Sequence, residues 1–152
     1  MSEISLEHVA DLVVRVAEPV VIGETPGGIR RVIAIRSGEV RGPRMNGKVL
    51  PGGADFQLIR PDGVTELHAR YVIELEQGGL VYVENSGIRH GPPEAMERLN
   101  RGQHVDPRLI YFRTMPRFET ASPDYQWLTR RLFVGVGARF PDRVELSVFE
   151  VG

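Results

Sequence analysis

An all-β chain, closed into an antiparallel barrel of about eight or nine strands with one short helix, is the fold the sequence predicts for residues 1–152 as a single domain. Three features lead there. Apolar and polar residues alternate through most of the middle and end of the chain, which is the period of a half-buried strand. Glycine and proline are abundant, 17 and 11 of the 152 residues, with no low-complexity tract, so turns are frequent and strands short. Only one stretch carries clear helix-start and helix-stop residues. Many short strands at such spacing form a barrel or a sandwich, and closure into a barrel removes exposed edges.

Taken in order, residues 9–16 read as a first strand, with 20–22 continuing it after Pro19. That proline cannot donate to a ladder and marks a bulge or a strand start. Gly23-Glu24-Thr25-Pro26-Gly27-Gly28 is a turn cluster. Residues 30–41 form a strand with Arg31, Ile33 and Ile35 on one face and Val32 and Ala34 on the other. Residues 42–53, with four glycines and two prolines, are a long loop or a broken strand. Residues 54–60 are a strand, and Pro61-Asp62-Gly63 is a turn: proline presets φ and glycine accepts a positive φ. Residues 66–76 alternate, with Leu67, Ala69, Tyr71, Ile73 and Leu75 against Glu66, His68, Arg70 and Glu74. Gln77-Gly78-Gly79 is a hairpin signal leading to a strand at 80–84. Residues 92–102 begin with Pro92, Pro93 and Glu94 and end with Arg101 and Gly102, so they form a helix of about two turns, suited to a lid or plug. A strand at 109–119 is interrupted by Pro116. Residues 123–130 make a short helical turn, and strands at 132–138 and 144–151 meet through Pro141-Asp142.

Composition removes several functions. The charge is −1, from 19 basic and 20 acidic residues, which disfavours nucleic acid and anionic membrane surfaces as partners. There is no cysteine, hence no disulfide, thiolate metal site or cysteine nucleophile. Apolar runs are far shorter than the ~20 residues of a membrane helix, and no secretory leader opens the chain, so a cytoplasmic location is expected. Neither a phosphate-binding glycine motif nor a Gly-x-Ser-x-Gly elbow is present. His8, His68, His90 and His104 lack metal-ligand spacing, so neither a metal nor a cofactor is expected.

The remaining candidates lie on polar strand faces. Asp55 and Gln57 share one face, His68 and Arg70 another, and Tyr111, Arg113, Arg117 and Glu119 a third if the pleat survives Pro116. The opposite faces hold Phe56 and Leu58, Tyr71 and Ile73, and Phe112 and Phe118. Either the polar faces meet water, as in most antiparallel sheets, or some line a ligand-holding lumen. For Tyr111, Arg113 and Glu119 the lumen is favoured, because an aromatic, an arginine and a nearby Met115 are unusual on a water-facing strand. Asp55 follows the flexible Pro51-Gly52-Gly53 run, where backbone can approach a ligand. It is a general acid or base, or else a turn carboxylate bonding nearby N–H groups. Asn46 and the Arg89-His90-Gly91 segment are placed on loops at the barrel mouth, and Tyr125 and Trp127 form an aromatic floor or packing anchors.

Several of these segments match a known pattern. Gly23 to Gly28, Gly42-Pro43-Arg44-Met45-Asn46-Gly47, Pro51-Gly52-Gly53-Ala54-Asp55-Phe56, Tyr111-Phe112-Arg113-Thr114, Arg117-Phe118-Glu119-Thr120 and Tyr125-Gln126-Trp127-Leu128 occur in order along residues 5–151. On them the chain resembles the bacterial and fungal family known as domain of unknown function 3237, or uncharacterised protein family 0311. Phe56 is a departure, since that family often carries Trp there. The resemblance implies a β-barrel and carries over no catalytic role.

The residues thus point to a small-molecule-binding barrel, foremost a cofactor-free, metal-free enzyme of the isomerase, cyclase, lyase or hydrolase type. Asp55 and Glu119 are its acid/base candidates. Arg70, Arg89 and Arg113 are candidates to hold or polarise a carbonyl or carboxylate, Tyr111 and Asn46 to hydrogen-bond, and Trp127 to pack. The alternative is a non-catalytic ligand carrier. Expected partners are a small molecule in the cavity and further copies of the chain.

Overall fold

The structure, a computed structural model, describes residues 2–152. Its strands are β1 (Leu6–Val16), β2 (Val20–Thr25), β3 (Gly28–Arg41), β4 (Gly47–Val49), β5 (Ala54–Ile59), β6 (Thr65–Leu75), β7 (Leu80–His90), β8 (Tyr111–Thr120), β9 (Leu132–Phe140) and β10 (Arg143–Val151). Between them run one α-helix, α1 (Pro93–Asn100), and two short 3-10 stretches, Pro107–Leu109 and Pro123–Thr129.

All pairings are antiparallel, in the order β1-β10-β9-β8-β7-β6. β4 and β5 follow each other in the next position, each bridging β6 to β3. β3 then pairs with β1 and closes the ring. The result is an eight-position closed barrel, with β2 lying against β3 outside the ring. The two strands beyond the expected count are β4, inside the glycine-rich 42–53 segment, and β2, which is separate from β1.

Alternation explains the packing. Along β6, Leu67, Tyr71, Ile73 and Leu75 point inward and Glu66, Arg70 and Glu74 outward. One half of the barrel is filled by Val9, Val40, Met45, Ile73, Val81 and Val83, and Leu128 of the Pro123–Thr129 stretch caps that end. Each such side chain contributes roughly 1.5–3 kcal/mol by leaving water. The other end is plugged by α1, which buries Ala95, Met96 and Leu99 beside Val105. Proline at its start and Gly102 at φ +79° after its end bound α1 as expected. Arg31 ties the wall to this plug, its Nη1 donating to the carbonyl of Asn100 at 3.0 Å.

Two expectations about strands change. β7 continues through Asn85-Ser86-Gly87 to His90, so Arg89 is not on a mouth loop but within a strand. Those three residues look like a turn, yet they pair on both sides, with Ala69, His68 and Leu67 in β6 and with Pro116, Met115 and Thr114 in β8, and this holds them extended. Pro116 does not interrupt β8, whose ladder to β7 runs without a shift from Thr120 to Tyr111. Among the described residues no helix is long and apolar enough to cross a membrane.

Candidate functional site

β5 turns its polar side inward. Asp55 is paired with Ile33 of β3 and Ala69 of β6, and Gln57 with Arg31 and Leu67. Directly opposed residues share a face of the sheet, so the inward phase of both neighbours carries Asp55 and Gln57 into the lumen. Phe56, between them, faces out and is 42% exposed. Gly53 makes this register attainable, because a Cβ there would lie 2.3 Å from the carbonyl oxygen of Arg70 and 2.6 Å from Tyr71 Cβ. The close approach that the glycine run permits is therefore strand against strand.

The lumen holds a cavity of about 50 Å³. Val14, Ile33, Ile35 and Leu146 make its apolar side, and Asp55, Gln57, Tyr71, Asn85, Thr114 and Arg139 its polar side. Asp55 Oδ2 accepts from Gln57 Nε2 at 2.8 Å, and Oδ1 accepts from the backbone N–H of His68 at 3.1 Å. Gln57 Oε1 in turn accepts from Arg31 Nη2 at 3.2 Å. The carboxyl borders the cavity on a residue that is half-buried. Burial raises its pKa above the ordinary 3.8, against the pull of the Gln57 hydrogen bond, the Arg89 charge, the His68 N–H and the Arg139 charge. Tyr71 is fully enclosed. Burial and then the Asp55 charge push its phenol up, so it remains a proton donor.

Three arginines share this half of the barrel. Arg31, Arg89 and Arg139 are only 5%, 1% and 8% exposed. Burial pulls Arg89 down to about 10, with Asp55 opposing and Arg139 and Arg31 adding to the fall. Burial lowers Arg139 as well, and its next largest influence is repulsion from Arg31. Arg89 Nε and Nη1, Arg31 Nε, Asn85 Oδ1 and Thr114 Oγ1 are buried without a hydrogen-bond partner in the protein.

The expected site residues divide between two surfaces. Asp55 and Arg89 are inside. Tyr111, Arg113 and Glu119 share one face of β8, but it is the outer one, while Phe112, Thr114 and Phe118 take the inner phase. The unbroken ladder to β7 decides this, since Phe112 lies opposite the buried Arg89 and Phe118 opposite Val83. Tyr111 and Arg113 line an open groove of about 810 Å³ on the outer sheet, with Phe56, His68, Ile88 and Met115. Phe56, the position that departs from the family pattern, thus alters this groove and not the lumen. Leu67 and Thr114 border both groove and cavity. Glu119 sits eight residues, about 26 Å, farther along the strand, near Tyr82 and Arg117. Arg70 is also external, beside His68 (3.3 Å) and Glu84 (4.0 Å). Asn46 closes its own loop through both bonds to Gly42. Trp127 lies at the capped end under the Arg44 guanidinium, 4.0 Å from the ring centre.

Sequence reading missed Tyr71, Asn85, Thr114 and Arg139 as site residues. The phase of Arg139 was available, because it stands at even spacing from the buried Phe133, but its strand was expected to end at 138. Among the described residues no three histidine or acidic side chains gather as a metal would need.

The family described as "Protein of unknown function (DUF3237)" matches residues 4–151. A UPF0311 protein of Rhodopseudomonas palustris strain TIE-1 is 51% identical over 145 residues, 95% of each chain. The crystal structure of a conserved protein of unknown function from Rhodopseudomonas palustris superposes with a TM-score of 0.94 at 47% identity, covering 100% of both chains. An enzyme from Penicillium herquei superposes with a TM-score of 0.75 over 100% of this chain and 97% of that one. At 17% identity that likeness speaks for the fold alone.

Proposed function

The chain belongs to the DUF3237 family, and on that premise we propose that it is an enzyme that converts a small organic molecule inside its barrel by general acid–base chemistry, without metal or cofactor. The observation that carries this reading is Asp55. It is a carboxyl that borders a cavity, with its pKa raised by desolvation and its orientation set by Gln57 and the His68 N–H. Such tuning brings a carboxyl toward the working pH of a proton-transfer group. Isomerisation, cyclisation and elimination next to a carbonyl all move a proton and build negative charge on oxygen. In this reading Asp55 moves the proton, Tyr71 donates a hydrogen bond to that oxygen, and the Arg139 guanidinium stabilises the charge. Gln57 is a positioning residue. The shared fold of the Penicillium herquei enzyme is consistent with catalysis in this architecture. The outer groove beside Tyr111 and Arg113 is the approach surface in this reading, since Leu67 and Thr114 line both it and the cavity.

A carrier barrel is the competing reading, and the apolar half of the cavity wall favours it. Deuterium exchange separates the two. Wild type in D₂O is offered small ketones, aldehydes and 2-oxo and 3-oxo acids, and loss of the acidic C–H is followed by proton NMR. We expect exchange above the buffer rate for at least one compound, and a fall of about 10²–10⁴-fold in Asp55→Asn at an undiminished melting temperature. Exchange of none of them, or equal exchange in the variant, would leave the carrier.

A further inference from the structure

We propose that the cavity takes the carboxylate of a small organic acid, held by Arg139 beside Asp55, with the Arg89 charge behind the cavity wall. The inference rests on the reading of the Asp55 cavity as the site and adds the class of its ligand.

Charge balance carries it. Three buried guanidiniums, Arg31, Arg89 and Arg139, lie close enough to repel one another, Arg139 lines the cavity, and Asp55 is the one acidic side chain that borders it. Among the described residues none of the three forms an ion pair within 4.0 Å, although Arg44, in the loop between β3 and β4, reaches two carboxylates. Even with Asp55 ionised, two positive charges remain uncompensated out of water. A buried unpaired cation costs several kcal/mol, so a chain retains such a group where a ligand completes it. Arg89 is the extreme case, 1% exposed with Nε and Nη1 free of any protein acceptor. Its only close partner of note is the Phe112 ring, 5.4 Å away. Guanidinium matches a planar two-oxygen anion better than a spherical one. Size narrows the class: about 50 Å³ admits about three to five waters, or a small acid of similar bulk. Thr114 Oγ1 and Asn85 Oδ1 are likewise unpartnered, on residues that line the cavity.

Sodium acetate is the probe and acetamide, its neutral isostere, the control, with sodium chloride holding ionic strength constant. We expect acetate to raise the melting temperature saturably and acetamide to have no comparable effect. Arg139→Gln should weaken the acetate response about 10- to 100-fold. Arg89→Met should weaken it less and, by removing an unpaired buried charge, raise the melting temperature of the ligand-free protein. Should Arg89→Met fail to fold, Arg139→Gln reads the same interaction. Equal responses to acetate and acetamide, or an acetate response unchanged in Arg139→Gln, would overturn the proposal. Asp55→Asn separates it from the acid–base reading, because that variant should lose proton exchange while binding acetate at least as well as wild type.

Discussion

At Asp55 burial and hydrogen bonding act in opposite directions, and burial prevails. A carboxyl whose folded pKa lies above its unfolded 3.8 binds its proton more tightly in the native state. The stability it contributes is therefore full below pH 3.8 and is lost as pH rises through the folded value. Asn cannot titrate but keeps an acceptor for the His68 N–H. The melting temperature of Asp55→Asn relative to wild type should accordingly climb as pH rises above 3.8. A difference independent of pH would mean that Asp55 ionises in the barrel as freely as in water. The surface carboxyls behave oppositely. Asp106, held down at about 2 by the Arg108 hydrogen bonds, contributes stability that is lost only as pH falls toward that value. The glycine run before Asp55 and an expected mouth loop at Arg89 singled out these two residues in the sequence. Neither signalled that the Arg89 segment would be sealed between two strands.

β8 shows how an element can keep its phase and still mislead. Its alternation survives Pro116 as the sequence allowed, with Tyr111, Arg113 and Glu119 on one face, but that face is outside. Proline is tolerated in sheets where a donor is not needed, and β8 shares with β9 only the pairs Arg113–Val136 and Thr114–Gly135. From Met115 onward β8 is bonded chiefly to β7. Amide exchange along residues 115–119 should alternate, with groups directed at β7 protected and those directed at β9 exchanging at least about tenfold faster. Uniform protection along this segment would show that β9 closes on β8 more fully than these two pairs. Glycines assist the seam: a Cβ at Gly137 would meet the Phe112 ring at 2.8 Å, and one at Gly135 would meet Thr114 Oγ1 at 2.3 Å. These inward glycines make room for the side chains that wall the cavity.

The whole molecule depends on β3 meeting β1, since that ladder turns an open sheet into a ring. Gly38 lies in it, opposite Val14, and a Cβ at Gly38 would sit 2.2 Å from the carbonyl oxygen of Val13 and 3.0 Å from Val49. Gly38→Ala must push backbone aside and should cost about 1–3 kcal/mol, a fall of roughly 3–10 °C in melting temperature. An unchanged melting temperature would show that the closure tolerates a wider strand spacing than the structure has. Because one apolar cluster spans β1, β3 and β6 to β10, the variant should still unfold in a single transition.

The sequence by itself determined the period of each strand, the turns between most of them, the single helix and hence a closed all-β barrel. These depend on local alternation and on the backbone preferences of glycine and proline, which neighbours in the chain express directly. The tertiary structure alone decided which face of each strand is the inside. A period-two pattern has two phases, and where one face carries Asp55 and Gln57 and the other Phe56 and Leu58, the usual rule of apolar residues inward selects the wrong one. Pairing with Ile33 and Ala69 selects the other, because cross-strand neighbours must share a face and a shift of one residue would turn every side chain over. The same constraint gathers Arg31, Arg89 and Arg139 from three separate strands around one carboxyl, a meeting that no spacing within any one of them encodes.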